Sequence, residues 1–275
     1  MTPQAMREVL NSLQNPRVQA ARRLRRRSFR SSEGAFLAEG PHIVREAIAA
    51  GAEVLEIFVA PELVTDPAVV SAEAGGVRAQ VAGQQVIAAL SDTATPQGIV
   101  AVVRAPAVRL EDALRGTDLV LVLAEVRDPG NAGTLVRSAV AAGAGAVVFG
   151  AGTVDAWSSK TIRASAGAVF HARMIAEAAL PAAALTLRSG GFRIVGADAG
   201  AEQIYDAADL TGPVALVVGN EAWGVPKDAI GLLDEAVRID MPGPVESLNA
   251  GIAGSLLLFE ALRQRRGRRA YPLAP

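Results

Sequence analysis

Cysteine is absent from the 275 residues. That excludes disulfide scaffolds, thiolate metal sites and cysteine nucleophiles. Histidine is nearly absent: His42 and His171 are the only two, too few for a histidine-built metal centre, and no metal is expected. Long apolar runs are missing as well. The longest uncharged stretch, Ser138 to Val154, is rich in Ala and Gly and falls short of the roughly 20 residues needed for a membrane span. The N-terminal MTPQAMREVLNSLQ lacks the apolar core of a secretion signal. These absences predict a soluble, cytoplasmic chain without membrane contact. What is present suits a folded protein. Hydrophobic residues make up 51% and charged residues 20%, which rules out a disordered or collagen-like chain. The length suits one large or two ordinary domains.

The formal net charge of −1 hides an uneven distribution. Residues 17–30 hold seven arginines and no acid, and residues 263–269 hold five more. Setting those twelve aside leaves 15 basic residues against 28 acidic ones. An acidic body therefore carries two basic segments. Such clusters are the electrostatic footprint expected for a phosphate backbone, although an arginine run also suits a solvated helix face.

Two halves separate near residues 104–117. The expected layout is residues 1–105 as one domain, 106–117 as a linker and 118–275 as a second domain. In the first half, Pro16 opens a helix through the arginine cluster. Strands are expected at 36–40, 54–60, 77–81 and 98–103, with helices at 41–50 and 83–90. The second half begins with DLVLVLAEV (118–126), a nearly continuous apolar run that suits a parallel strand buried on both faces. A helix is expected at 132–142 and strands at 146–150, 171–175, 192–197, 214–219 and 236–240. A long helix should run from Glu246 to Arg263. Strands alternating with helices indicate an α/β fold with a flanked parallel sheet.

Several common α/β chemistries lack their motifs. GAGAVVFGAG (143–152) precedes a strand, whereas a dinucleotide fingerprint follows one, and it fails the G-x-G-x-x-G spacing. No P-loop and no G-x-S-x-G elbow occur. Three polar constellations remain, each just beyond an expected strand: DPGNAGTLVRSA (128–139), GNEAWG (219–224) and MPGPVESLNAG (241–251). Ligands of open parallel sheets sit outside the carboxyl ends of the strands, so the three loops can make one site. Each also has a plainer reading. Asn131 could be a helix N-cap and Arg137 a surface arginine. Gly219 and Gly224 could bound a turn that leaves Glu221 solvated. Ser247 and Asn249 could cap the last helix.

Taken together and in this order, the constellations resemble the SpoU/TrmH family of SPOUT methyltransferases, which methylate ribose 2′-hydroxyls of RNA. Motif one stands as Asn131, Gly133 and Arg137. Motif two stands as Gly219-Asn220-Glu221, closed by Gly224. Motif three stands as Met241-Pro242-Gly243 followed by Ser247-Leu248-Asn249. Ala222 replaces the usual glycine after the motif-two glutamate, and Ala250-Gly251 replaces Val-Ser; both substitutions keep a small residue. The first half resembles the family's accessory RNA-binding domain, through Asn15-Pro16, the arginine-rich segment, Phe36-Leu37 and Glu39-Gly40-Pro41.

The resemblance implies a trefoil knot in the C-terminal domain, built by motifs two and three. It implies S-adenosylmethionine as cofactor, with contacts falling at Gly219, Asn220, Ile239, Met241 and Leu248. It also implies a homodimer, with Arg137 acting beside the partner's cofactor site. The implied catalytic set is Arg137, Asn131, Glu221, Ser247 and Asn249. A guanidinium is an awkward base, so Arg137 is read as a clamp on the neighbouring phosphate that stabilises the developing alkoxide. Arg22, Arg23, Arg25, Arg26, Arg27 and Arg30 are expected to meet RNA phosphates. Phe29 and Phe36 could stack on unpaired bases or sit in the core. The expected substrate is 23S rRNA. A tRNA ribose methyltransferase and a non-catalytic RNA-binding protein of the same fold stand as alternatives.

Overall fold

The computed structural model describes residues 8–245 and 247–266, Asp228 by its backbone only. The chain forms two compact units. One comprises Met1–Ala107 together with Trp157–Phe170; the other comprises Val108–Ala156 and His171–Pro275. Glu246, the expected start of the last helix, lies outside the described residues, as do Arg268 and Arg269 of the C-terminal arginine run. No helix among the described residues is long and apolar enough to cross a membrane.

The first unit is a small α/β body. Strands β1 (Ala35–Glu39), β2 (Val54–Val59), β3 (Arg78–Val81) and β4 (Ile99–Arg104) form a sheet in the order β1-β4-β2-β3. β4 runs antiparallel to β1 and β2, and β2 runs parallel to β3. Its core gathers Val18, Leu24, Leu37, Phe58, Ile87 and Leu90. Phe36 belongs to this body's interior, fully buried and stacked on Trp157 at 4.8 Å. It is not a base-stacking platform. Trp157 arrives with the segment 157–170, which Arg163 fastens by an ion pair to Glu39 at 3.3 Å. Glu39 is itself buried and also accepts from the Ser91 and Thr93 hydroxyls.

The arginine-rich segment is two helices rather than one, Pro16–Arg23 and Arg27–Glu33. The break at Leu24–Arg26 frees carbonyls at the end of the first helix. Arg30 takes one of them, donating from Nη1 to the Leu24 carbonyl at 2.8 Å. Arg30 is therefore buried, at 9% exposure, and drops out of the expected phosphate-binding set. Arg22, Arg23, Arg25, Arg26 and Arg27 are exposed. Arg25 pairs with Asp92 at 3.4 Å, and Arg23 lies over the half-buried Phe29 ring at 4.1 Å.

The second unit is built on seven parallel strands: β5 (Leu119–Leu123), β6 (Ala146–Gly150), β7 (Arg173–Ala178), β8 (Arg193–Ala197), β9 (Gln203–Ile204), β10 (Val214–Val218) and β11 (Glu235–Arg238). Their order is β7-β6-β5-β10-β8-β11-β9. Every residue of β5 and β10 is buried, as the continuous apolar runs require of central parallel strands. Val122, Val148, Ile194 and Val217 share one core with Leu187 and Phe192. From β5 the chain goes out to β6 on one side, and from β10 it goes to β11 on the other. A crevice forms at such a switch point, outside the carboxyl ends of the strands. The register pairs Val218 with Leu123, so the loops after β5 and β10 begin side by side.

Two helices close this end. Helix Pro129–Ala141 follows β5, and helix Ala250–Arg266 ends the described chain. A β-carbon at Gly254 would collide with Leu135 and Val218, so the glycine lets the last helix press on both β10 and helix 129–141. The Ser138 and Ser255 hydroxyls meet at 2.7 Å across this contact. At the far end Arg265 is only 12% exposed. It bonds Asp118 at 3.0 Å and the carbonyls of Leu210 and Gly212. It pins the helix rather than offering charge to a phosphate.

Candidate active site

Each motif loop owes its shape to local rules. Asp128 caps helix 129–141, accepting from the Asn131 N–H at 2.7 Å with Pro129 in the first turn. This corrects the capping reading of Asn131. The Asp-Pro pair is itself a helix-start signal. With Asp128 as the cap, the Asn131 side chain is released for another task, although the residue is only 9% exposed.

The motif-two loop is a tight hairpin. Asn220 and Gly224 exchange backbone hydrogen bonds at 2.7 and 2.9 Å. The Asn220 side chain accepts from the Ala222 N–H at 2.8 Å and donates to the Glu125 carbonyl at 2.8 Å. Glu125 holds a left-handed backbone at φ 59°, a conformation a non-glycine residue keeps only when its surroundings fix it. At Gly219 a β-carbon would strike the Gly224–Val225 peptide, so the hairpin closes only on glycine.

The three motifs meet in one hydrogen-bonded chain. Asn249 Nδ2 donates to Asn131 Oδ1 at 2.8 Å. Asn131 Nδ2 donates to the Glu221 carboxylate at 2.9 Å. The same carboxylate accepts from the Asp128 N–H at 3.2 Å and the Arg127 N–H at 3.3 Å. Burial acts to raise the Glu221 pKa, but these hydrogen bonds outweigh it and hold the carboxyl below its ordinary value. Asn249 also caps the last helix, its Oδ1 accepting from the Ile252 N–H at 3.2 Å. Asn249 therefore caps the helix and holds Asn131 at the same time.

Beside this chain lies a cleft of about 320 Å³, within the size range of small-molecule sites. Gly219, Asn220, Glu221, Ile239, Met241, Ser247 and Leu248 all line it. Ile239, Met241 and Leu248 are half-buried and supply an apolar wall. Ala197 at the end of β8 and Asp198 and Ala199 just after it also line the cleft, as does Trp223. Sequence reasoning missed these four, along with Asp128, Glu125 and Arg127. Only Asp128 carried a local signal.

Arg137 stands apart. It is exposed, does not line the cleft, and makes no hydrogen bond or ion pair among the described residues. Its helix packs on the last helix, whose outer face exposes Ile252, Leu256 and Phe259. Steps of four and three residues put all three on one side of that helix.

Residues 118–259 match the model of the SpoU rRNA Methylase family, and residues 15–101 match the MRM3-like substrate binding domain. The chain is 32% identical over 250 residues to the 23S rRNA (guanosine(2553)-2′-O)-methyltransferase RlmP of Bacillus subtilis (strain 168), covering 91% of this chain and 97% of that one. Its fold is similar to the AdoMet-bound rRNA methyltransferase from Sinorhizobium meliloti (TM-score 0.82, 29% identity, 93% and 97% coverage). It is equally similar to the SpoU methyltransferase AviRb from Streptomyces viridochromogenes in complex with AdoMet (TM-score 0.83, 27% identity, 91% and 98% coverage). With its motif loops joined at one cleft and a family match over more than half its length, the chain belongs to the SpoU family of RNA methylases.

Proposed function

We propose that the chain transfers a methyl group from S-adenosylmethionine to a ribose 2′-hydroxyl of 23S rRNA. The observation that carries this reading is the hydrogen-bonded chain Asn249–Asn131–Glu221, which joins all three motifs at the rim of one cleft. The choice of rRNA over tRNA rests on the B. subtilis relative, which is similar along nearly its whole length and is named for 23S rRNA.

The residues present fit the cofactor. Gly219 lines the cleft of about 320 Å³, and Ile239, Met241 and Leu248 offer an apolar wall for an adenine. S-adenosylmethionine supplies an electrophilic methyl group on a sulfonium. The chain's part is to align the ribose oxygen for in-line attack, which can provide much of the acceleration. Glu221 accepts from the Asn131 amide and from the backbone N–H groups of Arg127, Asp128 and its own residue, and acts as a clamp on the motif loops, not as a base. Asn131 has both ends of its amide engaged and positions rather than reacts. Arg137 is the uncommitted group. Its planar fork suits the phosphate beside the target ribose, and its charge stabilises the alkoxide as the hydroxyl proton passes to solvent and the methyl group leaves S-adenosylhomocysteine behind.

Arg137 does not line the cleft of its own chain, so the active unit is read as a homodimer in which it reaches the partner's cleft. The exposed Ile252, Leu256 and Phe259 stripe on the adjacent helix supports that assembly. The trefoil knot goes with this reading. The loops after β10 and β11 both wall the cleft, and the last helix returns against helix 129–141. A cytoplasmic site of action follows from the rRNA substrate.

Thermal melting tests the cofactor. S-adenosylmethionine at about 100 times its dissociation constant should stabilise by about 2.7 kcal/mol, and NAD should do nothing. Stabilisation by NAD alone would return the cleft to a nucleotide-enzyme reading.

A further inference from the structure

We propose that Trp223 is a stacking platform for an unpaired RNA base beside the target ribose. The inference rests on the methyltransferase reading and adds a substrate contact to it. The chain has two tryptophans, and their settings differ sharply. Trp157 is 8% exposed, whereas Trp223 is 53% exposed at the tip of the motif-two hairpin. An indole left in water on a catalytic loop has large apolar faces to offer a ligand.

The ring is held in place rather than waving. Its hairpin is closed by the two Asn220–Gly224 backbone hydrogen bonds and the Asn220 side-chain turn. The Arg127 guanidinium lies over the indole, 4.9 Å from its centroid. Arg127 in turn ties to Glu221 through its own N–H and to Glu125 through an ion pair at 3.4 Å. The platform is thus coupled to the residue that clamps the three motifs.

The chemistry of the setting selects an RNA base. The cofactor's adenine already has an apolar wall in the half-buried Ile239 and Leu248. Trp223 is far more exposed and carries a cation on its ring, which suits a polyanion presenting a flat π-face. Aromatic rings paired with arginine are the usual seats of unpaired bases, and every base has a face to stack.

The test uses the full-length protein with Trp157→Phe, which leaves Trp223 as the single indole. Its fluorescence is titrated with S-adenosylmethionine, with an unmodified 23S rRNA transcript, and with a fully paired RNA duplex at matched salt. The transcript should quench it whether or not the cofactor is bound, and the duplex should not. In parallel, Trp223→Ala should weaken binding of the transcript about tenfold, a loss largely rescued by Trp223→Phe. Quenching by S-adenosylmethionine alone, or by neither ligand, would overturn the proposal. Equal quenching by the duplex would overturn it too. None of these readouts depends on methyl transfer. A wild-type protein that quenches with RNA but methylates nothing would count against the enzymatic reading and not against Trp223.

Discussion

Asn249 donates its side-chain amide to the Asn131 oxygen at 2.8 Å while its own oxygen takes the Ile252 N–H. The direction of this contact is forced from both ends. Glu221 as a carboxylate can only accept, so Asn131 must turn its NH₂ toward Glu221 and its oxygen toward Asn249. The helix N-terminus can only donate, so Asn249 must turn its oxygen there and its NH₂ toward Asn131. Flipping either amide would set acceptor against acceptor.

Asn249→Asp separates the two tasks of that side chain. Aspartate caps as well as asparagine and its charge suits a helix N-terminus, so the cap should be kept and the protein should fold. The donor toward the buried Asn131 oxygen is gone, which costs about 1–3 kcal/mol and should lower the apo melting temperature by a few degrees. The methyl-transfer rate should fall at least about tenfold. A folded variant with wild-type rate would reduce Asn249 to a cap.

Glu221 gives the site an acid limit. Its carboxyl is held below the ordinary value, so the folded site favours the ionised form. The stabilisation is complete above the ordinary glutamate range and is lost as pH falls through the lower value in the folded state. The loops that wall the cleft hang on this carboxylate, so cofactor affinity should stay flat from neutrality into the ordinary carboxylate range and weaken only below it. Glu221→Gln should bind S-adenosylmethionine more weakly at neutral pH and lose that acid limb. Calorimetric titration across pH measures both, and an unchanged profile in the variant would remove Glu221 from the role of clamp.

The arginines of the first unit should behave as phosphate ligands. Replacing Arg22, Arg23, Arg25, Arg26 and Arg27 with alanine should weaken RNA binding and flatten its salt dependence. The log–log slope should fall by about 0.7–0.9 for each phosphate left without its arginine. Arg30→Ala should instead lower the melting temperature, because its guanidinium fills the Leu24 carbonyl inside the helix break. A slope unchanged in the five-fold variant would mean that this face does not meet RNA.

The legible parts of the chain were those with strong local signals. The strands Leu119–Leu123 and Val214–Val218 are buried on both faces, and their uninterrupted apolar runs say so. The motif residues were readable by order, because Gly219, Glu221 and Asn249 follow strands that end at one edge of the sheet. What stayed hidden depends on distant partners. Nothing near Arg30 announces that it turns back to Leu24, since neither glycine nor proline marks the helix break. Asn131 looks like a cap until Asp128 is seen to hold that position. The segment Trp157–Phe170 packs with the first unit through Phe36 and Glu39, which stand far earlier in the chain, and no local pattern encodes that pairing.

The exposed stripe tests the assembly. Leu256→Asp adds a charge to a position already 39% exposed, so a monomer should fold normally. If a second copy sits there, the variant should elute as a monomer and lose methyl transfer while still binding S-adenosylmethionine. A dimeric, active variant would place the interface elsewhere.

The most direct test of the central claim is transfer of labelled methyl from S-adenosylmethionine to unmodified 23S rRNA, followed by nuclease digestion and identification of the labelled nucleoside. Wild-type protein should label one 2′-O-methylated nucleoside. Arg137→Ala should label none while binding the cofactor within a few-fold of wild type. Label on a base instead of a ribose, or undiminished transfer by Arg137→Ala, would contradict the account.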